Sequence, residues 1–266
     1  NIGFIGVGYM GYGIAKNILK HGHKLFVVAN KNRKPIEKIV SEGAEEIKSI
    51  KEFSNKNLDA LFMCVTNTPI AKSISEKISK ILDTKTIIID ITTHNKTGSI
   101  ETEKIFKSNN INYIECPVMG GPVQAEEGVL GGIVGASENN LKLAEPYLKI
   151  FCKDYFYFGP VGMGAKSKLL NNFLSLGNAA LVNHLAKTAI ELDLDLKKVF
   201  DVAKLGSGNS AALVRVFDNL LKGDFTGFKF TATNSVKDLT YIQDLLKDFP
   251  EAEKIAEVNK NYFQKA

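Results

Sequence analysis

The sequence predicts an α/β fold, with an N-terminal doubly wound parallel sheet followed by an all-α C-terminal domain. Over residues 1–160, short apolar runs alternate with longer amphipathic segments, a rhythm typical of strand–helix–strand units with helices on both faces of a sheet. Beyond residue 160, only helical patterns follow. A chain of 266 residues is long enough for two cores, and we therefore predict two domains, 1–160 and 161–266.

The first domain is predicted from runs of four to eight mainly apolar residues. The predicted strands are residues 2–7, 24–29, 58–65, 86–90, 112–115, 129–134 and 154–158. The amphipathic helices predicted between them are residues 11–21, 35–42, 70–82, 97–108 and 138–150. Because helical segments lie between several of these strands, we expect a parallel sheet with helices on both faces.

The second domain begins with a long predicted helix, residues 164–192, which is apolar around most of its circumference. A helix of this kind is buried, either within its own domain or by a partner subunit, and we therefore expect a homodimer or homotetramer. The further predicted helices are residues 196–205, 210–221, 231–246 and 250–264.

Composition excludes several classes of protein. The net charge is only +5 and the lysines are interleaved with glutamates along the chain, which argues against a nucleic-acid reader. Three widely spaced cysteines argue against a disulfide framework and a metal site, so we expect reduced thiols and no metal. No apolar run has the length of a membrane span, and the N-terminus lacks a signal-peptide pattern. We therefore expect a cytoplasmic protein without a membrane partner.

Glycines 6, 8 and 11 follow the first predicted strand and begin the first predicted helix. The first permits a tight turn, the second lets the backbone approach a pyrophosphate, and the third lets helix and strand pack closely. The helix N-terminus favours the anion. A plain structural turn is the alternative, but the surrounding strand and helix favour a Rossmann-type cofactor site. The predicted cofactor-binding residues are Gly6, Val7, Gly8, Tyr9, Met10 and Gly11.

The segment after the second predicted strand contains no acid. NAD-selective sites normally carry Asp or Glu there, about twenty residues after the glycines, to bind the ribose 2′-hydroxyl. Here the chain reads Asn30-Lys31-Asn32-Arg33, whose two cations are able to pair with a 2′-phosphate. A solvated basic loop is the alternative. We predict NADP as the cofactor, with NAD second, and these four residues as its contacts.

Three further motifs follow the glycine turn in order. They are Asp90-Ile91-Thr92-Thr93, Glu115-Cys116-Pro117-Val118-Met119-Gly120-Gly121, and the segment from Gly159 to Asn172 that contains Lys168. With the glycine turn, they resemble the β-hydroxyacid dehydrogenase family over essentially the whole chain. That family includes 3-hydroxyisobutyrate dehydrogenase, tartronate semialdehyde reductase and glyoxylate/succinic semialdehyde reductase, with 6-phosphogluconate dehydrogenase as a larger relative.

The resemblance implies roles for the first two motifs. Thr92 corresponds to a substrate-binding position and Thr93 to a cofactor-binding one, although either hydroxyl is also able to cap the helix predicted at 97–108. Met119, Gly120 and Gly121 correspond to the serine and glycines that bind the substrate carboxylate. A thioether donates no hydrogen bond, so either the glycine amides and Thr92 suffice, or the substrate differs at that end.

The resemblance makes Lys168 the catalytic lysine, with Asn171 and Asn172 orienting the substrate. The spacing agrees, since positions i, i+3 and i+4 share one helix face. An ammonium there is able to protonate the oxygen of a carbonyl that accepts hydride, and the neutral amine is able to take the proton back. For an arbitrary helical lysine, a solvated charge is the usual alternative. The remaining assignments to cofactor binding are Val65, Thr66 and Lys237.

Together these features predict an NADP-dependent oxidoreductase of a small 3-hydroxy acid or its semialdehyde, similar to 3-hydroxyisobutyrate dehydrogenase. Because Met119 replaces the family serine, an imine reductase or a reductase of carbonyls without a carboxylate is the alternative within enzymes. A non-catalytic dinucleotide-binding protein is the alternative outside them, and the retention of Lys168 with its paired asparagines argues against it.

Overall fold

A computed structural model of the chain describes residues 1–30, 32–224 and 230–265. It divides into two compact units, Asn1–Lys168 and Leu169–Ala266. The division lies within the first turns of the long helix α7 (Met163–Glu191), because its first six residues belong to the first unit. The sequence placed its boundary just before this helix.

The first unit begins with a six-stranded parallel sheet of order β3-β2-β1-β4-β5-β6. Its strands are β1 (Ile2–Ile5), β2 (Leu25–Val28), β3 (Glu45–Ile47), β4 (Ala60–Met63), β5 (Ile87–Asp90) and β6 (Asn112–Glu115). Its helices are α1 (Tyr9–Lys20), α2 (Lys34–Ser41), α3 (Thr68–Ile78) and α4 (Gly98–Lys107), and a 3-10 segment spans Ile50–Asn55. The predicted doubly wound parallel sheet is confirmed.

Helices cover both faces of this sheet. On one face, Phe4 and Phe62 of the strands pack with Ile14 and Ile18 of α1, and helix α6 (Glu138–Leu148) contributes to the same cluster. On the other face, Leu61 and Ile88 pack with residues of α3 and α4. Strands buried on both faces read as continuous apolar runs, which is why the sequence identified them.

The last two predicted strands do not join the six-stranded sheet. They form β8 (Leu130–Val134) and β9 (Cys152–Tyr157), which pair in parallel in a separate three-stranded sheet. Its third strand is β7 (Val118–Met119), which runs antiparallel to β8 and was not predicted, as its two residues are too few to show a pattern. The short helix α5 (Pro122–Glu127) lies between β7 and β8 and was also missed.

The second unit contains only helices among its described residues. They are the rest of α7 (Met163–Glu191), then α8 (Leu196–Leu205), α9 (Ala211–Leu220), α10 (Ala232–Leu245) and α11 (Pro250–Lys265). One apolar cluster joins α7 to α10 and α11 through residues such as Leu176, Leu239 and Ala256, and a second joins α7 to α8 and α9 through Phe200 and Phe217. The predicted all-helical C-terminal region is confirmed.

Two further observations concern the described part of the chain. No helix there has the length and apolar character that crossing a membrane requires. No disulfide joins Cys64, Cys116 or Cys152, and the last two are buried.

Candidate active site

The turn after β1 requires glycine at two positions, and at a third glycine the space beside the backbone is empty. Gly6 has a φ of +97°, and a Cβ there would lie 2.1 Å from the carbonyl oxygen of Cys64. A Cβ at Gly11 would lie 2.1 Å from the Gly6 carbonyl oxygen. At Gly8, by contrast, a Cβ would meet nothing within 4 Å. Gly8 is also the N-cap of α1 and carries no side chain to cap its first N–H groups, so this cradle fits the pyrophosphate of a dinucleotide.

The other predicted cofactor residues of the first unit lie at the same edge of the sheet. Strands β1, β4 and β5 are parallel neighbours, so their carboxyl ends meet there. Val65 and Thr66 follow β4, and Thr92 and Thr93 follow β5. The two loops are joined by the N–H of Val65, which donates to Thr92 Oγ1 at 3.2 Å. The fold thus brings together segments that are far apart in sequence.

The basic segment after β2 is only partly available to a phosphate. Arg33 donates two hydrogen bonds of 3.0 Å to the carboxylate of Glu46, and its Nε lies 3.5 Å from Glu37. Asn30 and Asn32 are exposed, and Lys31 lies outside the described residues. The structure therefore pairs Arg33 with carboxylates that the sequence pattern did not reveal.

The two threonines after β5 differ in their accessibility. Thr92 is 1% exposed, and its N–H donates to Asp90 Oδ1 at 2.9 Å, whereas Thr93 is half-buried. Neither threonine caps α4, because the N-cap of that helix is Thr97. The alternative role as a helix cap is therefore wrong for both threonines.

The segment from β6 to α5 contains the residues predicted to bind the substrate. Met119 is half-buried at the end of β7. Gly120 has a φ of +113°, and a Cβ there would lie 2.8 Å from a Leu130 methyl group. The N–H of Gly121 donates to Gln124 Oε1 at 2.9 Å. The amide of Gly121 is therefore already used at the start of α5, which the sequence did not show.

Lys168 lies in the second turn of α7 and is 9% exposed. Its ammonium donates to the carbonyl oxygen of Val118 at 2.7 Å and lies 3.3 Å from Met119 Sδ. A buried ammonium needs such acceptors, because its desolvation is otherwise costly. The residue predicted to be catalytic thus lies against the segment predicted to bind the substrate.

Glu115 joins that segment to the start of α7. Its side chain is fully buried, and Oε1 accepts hydrogen bonds from the N–H groups of Gly162 at 2.6 Å and Gly164 at 2.8 Å. Burial raises the pKa of Glu115, while these backbone donors act against the rise. The carboxyl group therefore occupies the N-terminus of the helix that carries Lys168.

A second polar cluster lies within the helical unit. Asn172 donates to Asp238 Oδ2 at 2.7 Å, and both side chains are buried. The ammonium of Lys237 lies 2.9 Å from Asp238 Oδ1. Asn171 is half-buried on the same helix as Asn172. Two of the predicted site residues, Asn172 and Lys237, are thus joined through Asp238.

Within the first unit, the prediction missed several buried polar residues around Asp90. His94 and Tyr113 both bond to Asp90, and Thr68 bonds to His94. The one signal in the sequence is a histidine placed directly after Thr92-Thr93 at a strand end. No such signal marked Tyr113, since an aromatic residue in a strand is usually a core residue. Among the described residues, no group of three or more His, Cys, Asp or Glu side chains could hold a metal ion.

The glycine turn at the carboxyl edge of a parallel sheet is typical of a dinucleotide-binding domain, and the comparisons with known proteins identify its class. The sequence model of the NAD-binding domain of 6-phosphogluconate dehydrogenase matches residues 1–159. A second sequence model, described as NAD-binding of NADP-dependent 3-hydroxyisobutyrate dehydrogenase, matches residues 162–266. The chain belongs to the β-hydroxyacid dehydrogenase family, as the sequence motifs predicted.

Individual relatives agree with this assignment. The chain is 27% identical to 2-(hydroxymethyl)glutarate dehydrogenase of Eubacterium barkeri over 230 residues, which are 85% of this chain and 76% of that one. It shares its fold with 3-hydroxyisobutyrate dehydrogenase of Mycobacterium tuberculosis bound to L-serine, at a TM-score of 0.87, 20% identity and coverage of 99% and 92%. Psf3 in complex with NADP+ and 2-OPP gives a TM-score of 0.86, with 24% identity and coverage of 100% and 93%.

Proposed function

We propose that this chain transfers a hydride reversibly between NADP(H) and a small 3-hydroxy acid or its semialdehyde, as in 3-hydroxyisobutyrate dehydrogenase, with Lys168 as general acid and base. The observation that carries the proposal is the buried ammonium of Lys168, which lies against Val118 and Met119 in the segment that follows β6. This segment is the one whose family counterpart binds the substrate.

The lysine supplies the proton that the reaction needs. When bound, the dinucleotide supplies or accepts the hydride. In the direction of reduction, Lys168 Nζ gives a proton to the substrate oxygen, and in oxidation the neutral amine takes that proton back. The carbonyl of Val118 orients the amine, and Asn172 lies four residues further along α7, on the same helix face. Asp238 accepts a hydrogen bond from Asn172 and so holds its amide in one orientation.

NADP is favoured as the cofactor by the absence of an acid after β2. An acid there would repel a 2′-phosphate, whereas Asn30, Lys31 and Asn32 offer polar and cationic groups. Arg33 contributes less than its charge suggests, since Glu46 engages it in two hydrogen bonds. The complex of the related fold with NADP+ is consistent with this choice.

A second candidate is a reductase of imines or of carbonyl compounds that lack a carboxylate. It is favoured by Met119, whose thioether contacts the lysine at the position where the family carries a serine hydroxyl. The N–H of Gly121 is engaged by Gln124, which removes one further donor for a carboxylate. Under the leading proposal, the Gly120 amide and the threonines after β5 supply the remaining polar contacts.

The decisive experiment compares Lys168→Ala with Lys166→Ala. We expect the first variant to lose about a hundredfold to ten-thousandfold in kcat while it still binds NADPH. Lys166→Ala is the matched control from the same helix and should change kcat less than about twofold. Unchanged turnover in the Lys168 variant would overturn the catalytic assignment.

The substrate follows from measuring the oxidation of NADPH against four acids. These are glyoxylate, succinic semialdehyde, methylmalonate semialdehyde and tartronate semialdehyde, with NADH measured in parallel. Turnover of one of them supports a hydroxy-acid dehydrogenase. Turnover of cyclic imines or neutral aldehydes alone supports the second candidate.

A further inference from the structure

The loop between β5 and α4 alternates buried and accessible side chains. Thr92 and His94 are each 1% exposed, whereas Thr93 between them is half-buried. Thr93 therefore lies in the chain between two residues whose side chains are enclosed in the protein. The contacts of these two residues fix the backbone on both sides of Thr93.

The first anchor is the carboxylate of Asp90, which is completely buried. Its Oδ1 accepts from the N–H of Thr92 at 2.9 Å, and its Oδ2 accepts from His94 Nε2 at 2.8 Å and from the Tyr113 hydroxyl at 2.9 Å. Three donors compensate for the lost hydration of this group. Because a carboxylate only accepts, Nε2 carries a proton, and in the neutral ring Nδ1 is the acceptor.

The second anchor is Thr68, the first residue of α3. Its Oγ1 lies 3.2 Å from His94 Nδ1 and accepts from the N–H of Asn95 at 3.1 Å. Gly98 packs closely against Thr68, because a Cβ at Gly98 would lie 2.5 Å from the Thr68 methyl group. Together with the bond from Val65 to Thr92, these contacts tie the loop after β5 to the loop after β4 on both sides of Thr93.

We propose that His94 is a positioning residue for the nicotinamide dinucleotide: bonded to Asp90 and Thr68, it holds the Thr93 hydroxyl at the carboxyl edge of the sheet, where it contacts the cofactor. This role of His94 rests on one part of the proposed function, namely that Thr93 contacts the dinucleotide. Stability alone does not require this network, because apolar residues of similar volume often stabilise a core as well as a buried charge with its hydrogen-bond partners does.

The test is a double-mutant cycle on the dissociation constant of NADPH, followed by the fluorescence of the bound nicotinamide. Removing one hydrogen bond should raise the Kd about fivefold in Thr93→Val. His94→Phe should raise it by a similar factor, since the hydroxyl is no longer held. If His94 acts through Thr93, the Kd of the double variant should equal that of the single variant that binds NADPH less tightly. Two independent fivefold effects would instead multiply to a 25-fold increase in Kd.

Two further variants complete the test. His94→Gln keeps a donor to Asp90 but loses the contact with Thr68, so its Kd should lie between those of the wild type and His94→Phe. Thr102→Val removes a buried hydroxyl that donates a hydrogen bond within α4, to the carbonyl of Gly98. It should lower the melting temperature and leave the Kd within about twofold. If His94→Phe does not fold, Thr68→Val takes its place in the cycle.

An unchanged Kd in His94→Phe, or effects that multiply fully in the double variant, would overturn the proposal. Failure of the proposed function has a different outcome, since Lys168→Ala would then leave turnover unchanged whatever the His94 variants do. If the wild-type protein bound neither NADPH nor NADH, both proposals would be overturned.

Discussion

Arg33 and Glu46 form a bidentate ion pair beside the end of β2. A 2′-phosphate must compete with this carboxylate for the guanidinium. We expect Glu46→Gln to lower the Kd for NADPH about two- to fivefold and to leave that for NADH unchanged, because the substitution removes the charge that competes with the 2′-phosphate and an exposed ion pair contributes little by itself. Glu45→Gln on the same strand is the control, as Glu45 pairs with Lys24 and Lys56 instead. Equal changes for both cofactors would contradict this role for Glu46.

Glu115 ionises at a cost, because burial raises its pKa. The folded protein therefore binds this proton more tightly than the unfolded chain does. The contribution of this proton to the free energy of unfolding is fully present below the ordinary pKa of 4.5. It is lost as pH rises through the raised pKa of the folded protein. Between the ordinary and the raised pKa, the loss is about 1.4 kcal/mol per pH unit. Glu115→Gln keeps an acceptor for Gly162 and Gly164 but does not titrate, so its urea midpoint should fall less than that of the wild type as pH rises from about 4.5. Parallel curves for the two proteins would disprove this.

At the scale of elements, the start of α7 depends on the space beside β8. Gly135 follows β8 and exchanges two backbone hydrogen bonds of 3.0 Å with Glu115. A Cβ at Gly135 would lie 2.1 Å from Glu115 Oε1, so Gly135→Ala displaces the carboxylate that binds the first N–H groups of α7. We expect a loss of about 1–3 kcal/mol in the free energy of unfolding, measured with urea, and a lower kcat.

Gly206 provides the matched control for that substitution. It follows α8, and a Cβ there would meet nothing within 4 Å. Gly206→Ala should therefore change the free energy of unfolding by less than about 0.5 kcal/mol. A similar loss in both variants would mean that the effect at position 135 arises from the backbone rather than from Glu115.

The helices and strands that the sequence predicted are those with a clear pattern of apolar residues. Parallel strands such as β4 are buried on both faces and read as apolar runs, while α1 shows the helical repeat. The missed elements are β3, β7, α5 and the 3-10 segment Ile50–Asn55, which have only three, two, six and six residues. Pairing partners stabilise such short segments, and their own residues carry too little pattern to reveal them.

At the scale of the whole molecule, the chain exposes a stripe of leucines on α7. Leu170, Leu174, Leu181 and Leu185 are all exposed, although the helix also buries an apolar stripe within its unit. Their spacing of four, seven and four residues places them on one face. Such a face is covered in many proteins by a second copy of the chain, and we therefore propose a homodimer or a homotetramer that uses it.

The double variant Leu174→Lys/Leu181→Lys tests this assembly. We expect it to elute as a monomer in size-exclusion chromatography with light scattering, since two buried ammonium groups would cost more than the interface gains. Leu143→Lys is the control, because Leu143 is 52% exposed on α6 in the first unit. A wild-type protein that is monomeric at micromolar concentration would refute the proposal.

Part of the candidate site could be predicted because its motifs are local. The glycine turn follows from short spacings after the first strand, whereas Lys168 and Asn172 come from the family resemblance, with which their spacing on one helix agrees. The partners of these residues were not predictable, since they come from distant segments: Glu46 to Arg33, Gln124 to Gly121, and Asp238 to Asn172. The burial of Thr92 was not predictable either, since Thr92 is bonded to Val65, which lies 27 residues earlier in the chain.

The sequence by itself determined the fold class, the family, the dinucleotide cradle and the identity of the catalytic candidate. The fold class and the cradle depend on periodicity and on spacings within single elements, and the family and the catalytic candidate depend on the resemblance of short motifs, all of which are properties of neighbouring residues. Only the tertiary structure decided which groups are already engaged and which are accessible. It paired Arg33 with Glu46, placed Glu115 at the start of α7 and enclosed His94 with Asp90 and Thr68. Hydrogen bonds and burial join residues from different strands and helices, so they exist only once the chain has folded.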